Sequence, residues 1–162
     1  MELKTRQLDE SFALEVLELE LDQVDDESFA ALKALWQEHP LLLLRRQFLS
    51  EPDLLALSRR FGELDILVRE DLHSPLHPEI IYVTNLKNEN GERLGGLGSY
   101  ELNWHTDQSY RENPATGSIF YGVEMPEDQG RTSWCNTQMS YEALPPQLQQ
   151  ELQQLQGVTK YN

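Results

Sequence analysis

The sequence predicts a single α+β domain over residues 1–162, and three observations predict it. Apolar residues at three-to-four spacing, bounded by capping residues, recur at 25–40, 50–62 and 145–157. Between them lie β-branched, aromatic or alternating apolar runs of strand length, at 13–21, 41–46, 79–86, 118–126 and 131–138. The chain has a normal length for one domain, enough to bury a core, and shows no internal repeat.

The elements follow in order. "ALEVLELEL" (13–21) reads as an early strand in which Leu and Glu alternate, with Val16 as the exception. "DDESFAALKALWQEHP" reads as a helix: Asp25 or Asp26 caps it, Phe29, Leu32 and Trp36 share a face, and Pro40 ends it. "LLLLRR" (41–46) is a short buried strand. "SEPDLLALSRRFGEL" carries the clearest local signal. Ser50 is the N-cap, Pro52 suits the first turn, Asp53 completes a Ser-x-x-Asp capping box, and Gly62 supplies a left-handed closing residue.

"EIIYVTNL" (79–86) is a strand, followed by the loop "KNENGERLGGLGSY". "SIFYGVEMP" (118–126) and "RTSWCNTQ" (131–138) are two further strands joined by "PEDQG". A short helix lies around 140–144. The last helix, "PPQLQQELQQLQG", has Leu148, Leu152 and Leu155 on one stripe, with its glutamines as a solvated face. The closing "GVTKYN" reads as the beginning of another strand, hence as a cut rather than a domain edge.

Composition narrows the partners. With 28 acidic against 13 basic residues, the formal net charge is −15, which disfavours nucleic acid and anionic membranes. The longest apolar run, 41–44, is far too short to span a bilayer. The single cysteine, Cys135, allows no intrachain disulfide, and the first residues lack an apolar signal region. Both features point to the cytoplasm.

The stretch "NWHTDQSY" (103–110) carries the chemistry. On an extended strand, side chains at i and i+2 project to one side, so His105 and Asp107 can share an ion. On a helix they would lie about 200° apart. Imidazole plus carboxylate suits Fe(II), Mn(II) or Zn(II), and two histidines with one carboxylate leave open positions for oxygen chemistry. His-x-Asp alone is common by chance, so an ordinary histidine on a surface strand remains an alternative.

Several motifs in order are more specific than this one. Trp-His-Thr-Asp, a later Pro and strand, the "QGRT" turn, and "ALPP" before a helix together resemble the TauD/TfdA-like branch of Fe(II)/2-oxoglutarate-dependent dioxygenases. "LLLLRRQFLSEPDLLALSRRFGEL" is similar to that family's opening strand and helix. The resemblance runs from about residue 40 onward, and more loosely before.

It implies a double-stranded β-helix (jelly-roll) oxygenase fold with flanking helices. It also implies Fe(II) as metal, 2-oxoglutarate as cosubstrate, and a small organic, carboxylate- or sulfonate-like substrate hydroxylated with O₂, releasing succinate and CO₂. His105 and Asp107 match two of the three metal ligands. Thr132 matches the threonine that holds a 2-oxoglutarate carboxylate, with an ordinary β-favouring residue as its alternative. Asn103 could face substrate or cap a loop. Trp104 and Tyr110 shape the pocket wall or pack in the core. His39, His73 and His77 lie upstream of the motif and do not fit the third-ligand position.

The chain departs from the family pattern in specific places. The third histidine and the 2-oxoglutarate-gripping arginine would both lie beyond residue 162. The expectation is therefore an N-terminal portion of one such domain, truncated before its later core strands and inactive unless a C-terminal half is supplied. Homo-oligomers are left open. "LVRE" (67–70) stands where the taurine-using branch has its sulfonate-binding histidine, which disfavours taurine. Two other readings remain: a truncated, non-catalytic remnant that binds a ligand or partner, and an unrelated metal-free β-rich binding domain.

Overall fold

The computed structural model describes residues 1–8, 12–96 and 102–159. Two compact units divide it, Met1–His105 and Thr106–Asn162.

In the first unit, β1 (Thr5–Gln7), β2 (Ala13–Val16) and β3 (Leu41–Leu43) form a sheet in the order β1-β2-β3. β1 runs antiparallel to β2 with Arg6 opposite Glu15, and β3 runs parallel to β2 with Leu14 opposite Leu42. A parallel neighbour requires a crossover, which α1 (Asp26–Glu38) supplies. Every residue of central β2 is buried, Glu15 included. The Leu/Glu alternation expected at 13–21 is therefore not an in/out alternation. Arg6 pairs with one Glu15 oxygen and Arg45 Nε lies 3.2 Å from the other, so the carboxylate is buried with its charge partnered. β2 stops at Val16, and Glu18 takes a left-handed φ of 56°.

Local capping chemistry fixes both long helices. Asp25 caps α1 by accepting the Ser28 N–H at 2.8 Å. The helix buries Phe29 and Leu32, and it ends where His39, just before Pro40, turns extended. In α2 (Glu51–Phe61), Ser50 and Asp53 form the reciprocal capping box, and Leu55 and Leu57 are buried. Phe61 packs edge-on against Phe29 and Trp36, with ring centroids 4.8 and 5.6 Å away. The Arg60 guanidinium covers the Phe29 ring at 4.2 Å while donating to the Val24 carbonyl. Gly62 has φ 162°, so α2 closes on extended backbone rather than on the expected left-handed residue.

The 79–86 stretch is not a regular strand. Ile81 makes a single antiparallel bridge with His73, and Lys87 makes another with Arg93 around a turn at Gly91, φ 80°. Asn88 holds that turn, its side-chain oxygen accepting the Asn90 and Glu92 N–H groups. A Cβ on Gly95 would sit 2.4 Å from the Tyr82 carbonyl oxygen, so this close backbone approach requires glycine.

The second unit contains α3 (Thr137–Glu142), capped by Asn136, and α4 (Pro146–Leu152). The glutamines of the tail are not all a solvated face. Gln149 donates to the Glu142 and Leu144 carbonyls, and Gln153 donates to the Tyr141 hydroxyl. Gly130, at φ 68°, turns "PEDQG" as expected. Among the described residues, 118–126 and 131–138 form no ladder, and α3 takes the last two residues of the second run. A strand exists only where another strand accepts from its N–H groups and donates to its C=O groups, and none does so here among the described residues. Among the described residues of this unit none is buried, and Ile119, Phe120, Val123 and Trp134 stand exposed.

Candidate active site

The motif spans the division between units: Asn103 and His105 belong to the first, Asp107 to the second. The strand expected over 103–110 is not formed. Residues 107–110 make a turn in which Gln108 has φ 55°, its carbonyl accepts the Arg111 N–H at 2.9 Å, and its side-chain oxygen accepts the Ala115 N–H at 2.8 Å. The cause is local: the Gln108 side chain satisfies backbone that a ladder would otherwise have to satisfy. The turn was not legible, because glutamine carries no strong turn signal.

His105 is exposed, and its Nδ1 lies 2.7 Å from the Asn103 carbonyl oxygen. A carbonyl only accepts, so Nδ1 carries the proton and the lone pair of the neutral ring sits on Nε2. A backbone carbonyl commonly fixes a metal-binding histidine in this way. Asn103 thus holds the His105 ring through its main chain, a contact that residue type does not reveal. Asp107 is exposed in the turn, and Thr132 is exposed in the non-helical segment before α3. Trp104 is 71% exposed, so it is not a core residue of the first unit.

Imidazole and carboxylate are suitable donors for Fe(II) or Mn(II). Among the described residues, no group of three or more His, Cys, Asp or Glu gathers around one point. The remaining histidines have structural contacts. The His39 N–H bonds the Leu35 carbonyl, His73 Nε2 bonds the Leu67 carbonyl at 2.8 Å, and His77 Nε2 faces Glu51 at 3.9 Å. An open groove of about 600 Å³ lies at the end of α2 between Arg59, Leu64, Ile66 and Glu79; it includes none of the motif residues.

Among the described residues no helix is long and apolar enough to cross a membrane. Comparison with known proteins gives the relationship directly. The chain is 32% identical over 126 residues to pentalenolactone F synthase of Streptomyces avermitilis, covering 75% of this chain and 41% of that protein. It is 26% identical over 157 residues to the (S)-phenoxypropionate/alpha-ketoglutarate-dioxygenase of Sphingobium herbicidovorans, covering 93% and 50%. It is 28% identical over 135 residues to the alpha-ketoglutarate-dependent 2,4-dichlorophenoxyacetate dioxygenase of Cupriavidus pinatubonensis, covering 78% and 47%. The chain thus spans about half the length of these curated relatives. The model of the taurine catabolism dioxygenase TauD, TfdA family matches residues 4–162, nearly the whole sequence, and the chain belongs to that family.

Proposed function

We propose that this chain is the N-terminal part of an Fe(II)- and 2-oxoglutarate-dependent dioxygenase. The reaction hydroxylates a small organic, carboxylate- or sulfonate-like substrate with O₂, and 2-oxoglutarate leaves as succinate and CO₂. Relatives named for phenoxypropionate, 2,4-dichlorophenoxyacetate and sulfonate support that substrate class. The observation that carries the reading is His105, which lies in the family's matched span with its Nδ1 proton committed to Asn103.

His105 Nε2 and the Asp107 carboxylate hold the metal, and the Asn103 carbonyl keeps the imidazole in the ligating tautomer. The Thr132 hydroxyl donates to a 2-oxoglutarate carboxylate, and Asn103 faces substrate. When bound, the iron supplies the oxidant. Asp107 keeps a carboxylate at its position, which favours hydroxylation over halide transfer. The fold is the double-stranded β-helix, to which 118–126 and 131–136 contribute strands once they are paired. The exposed apolar side chains on both segments support this.

Titration with Mn(II), followed by loss of the free-ion electron paramagnetic resonance signal, tests the ligand assignment. His105→Ala and Asp107→Ala are each expected to weaken binding about tenfold or more, since even the loss of a residue that only orients a metal ligand costs about that much. Equal affinity in all three proteins would refute the assignment.

A further inference from the structure

A second polar cluster lies in the first unit, away from the motif. Glu51, the first residue of α2, accepts the Ser74 hydroxyl at 2.8 Å on one carboxylate oxygen and the Tyr82 hydroxyl at 2.5 Å on the other. Ser74 is buried, at 4% exposure, and His77 Nε2 faces the same carboxylate at 3.9 Å. Ser74 and Tyr82 sit on the two sides of one hairpin. The Ser74 N–H bonds the Ile80 carbonyl, the Tyr82 N–H bonds the Leu72 carbonyl, and His73 bridges Ile81. The Tyr82 carbonyl also accepts the Gly96 N–H at 3.4 Å, so the next segment is tied to the same point. One carboxylate therefore joins both arms of the hairpin to the start of α2. Its charged neighbours are otherwise engaged: Asp53 with Ser50 on the same helix, and Glu79 of the hairpin arm with Arg59.

We propose that the Glu51 carboxylate is a latch. While ionised it holds the 72–82 hairpin closed on the first turn of α2, and its loss frees the hairpin as a local unit without opening the β1–β3 sheet or α1. The hydroxyl donors favour the ionised form, and an imidazolium at His77 adds attraction. Two bonds to one charged acceptor tie this hairpin to the first turn of α2 and the Arg59–Glu79 pair ties it to the last, while the backbone bonds within the hairpin are few. Such segments open well below the free energy of global unfolding.

Hydrogen exchange at neutral pH on the whole chain tests the latch. In Glu51→Gln and Tyr82→Phe the Ser74 and Tyr82 amides are expected to exchange about tenfold faster or more, with α1 amides such as Leu32 unchanged. The double variant should exchange no faster than the product of the two single effects, and slower if the pair is coupled. Asp53→Asn is the control: it removes a neighbouring charge and the capping box from the same helix start, so it should loosen α2 while speeding the hairpin amides far less than Glu51→Gln does. Unchanged hairpin amides in Glu51→Gln, or equal acceleration in α1 and the hairpin, would overturn the proposal. So would a matching hairpin effect in Asp53→Asn. None of these readouts depends on metal binding.

Discussion

At the scale of single residues, side chains act mostly by satisfying backbone. Ser50 accepts the Asp53 N–H at 3.3 Å, and Asp53 accepts the Ser50 N–H at 3.0 Å. Ser50→Ala is expected to cost about 1 kcal/mol, read as a lower urea midpoint at unchanged slope. This cap was legible because capping is chemistry within four residues. So was the candidacy of His105 and Asp107, carried by motif order. What could not be read was how His105 is held. Its Nδ1 partner is a main-chain carbonyl, which every residue type possesses. Glu51 was equally hidden: in sequence it is one acidic residue in a first helical turn, and its partners lie 23 and 31 positions away.

At the scale of elements, helices and strands divided sharply. α1 and α2 are where apolar spacing and caps put them, because a helix satisfies its own backbone. The strands depend on partners. β1, a polar three-residue "TRQ", carries no strand signal and exists because β2 pairs with it. The far stronger runs at 118–126 and 131–138 find no partner among the described residues. Burial in β2 also depends on its neighbours, which turn an apparently solvent-facing Glu15 into a buried one. Arg6 and Arg45 are 61% and 60% exposed on their side chains, so removing Glu15 leaves both cations hydrated rather than stranded. Glu15→Ala should therefore cost about 1–3 kcal/mol, the range for charged hydrogen bonds, and less than the 3–5 typical of an orphaned buried charge. Urea unfolding of the variant checks this.

At the scale of the whole molecule, charge sets the response to pH. Hydrogen bonds from Ser28 to Asp25, from Tyr82 and Ser74 to Glu51, from Ser50 to Asp53 and from Arg69 to Asp71 hold all four carboxyls below their ordinary values. A depressed carboxyl contributes stability above its unfolded value and loses it as pH falls through its folded value. Against this, the net charge of −15 repels itself at neutral pH and shrinks toward the pI near 4.5. The urea midpoint should therefore hold or rise from about pH 7 to about pH 5, then fall below about pH 4. A steady rise down to about pH 3 would show that repulsion dominates throughout. Family membership, legible from ordered motifs, is likewise a property of the whole chain and is matched over residues 4–162. The proposed function places His105 and Asp107 on Fe(II) that binds 2-oxoglutarate. The most direct measurement is the visible charge-transfer band of the anaerobic protein with Fe(II) and 2-oxoglutarate, compared with His105→Ala. The wild type is expected to show a band that His105→Ala abolishes. Equal bands in the two proteins, or none in the wild type, would contradict the proposal.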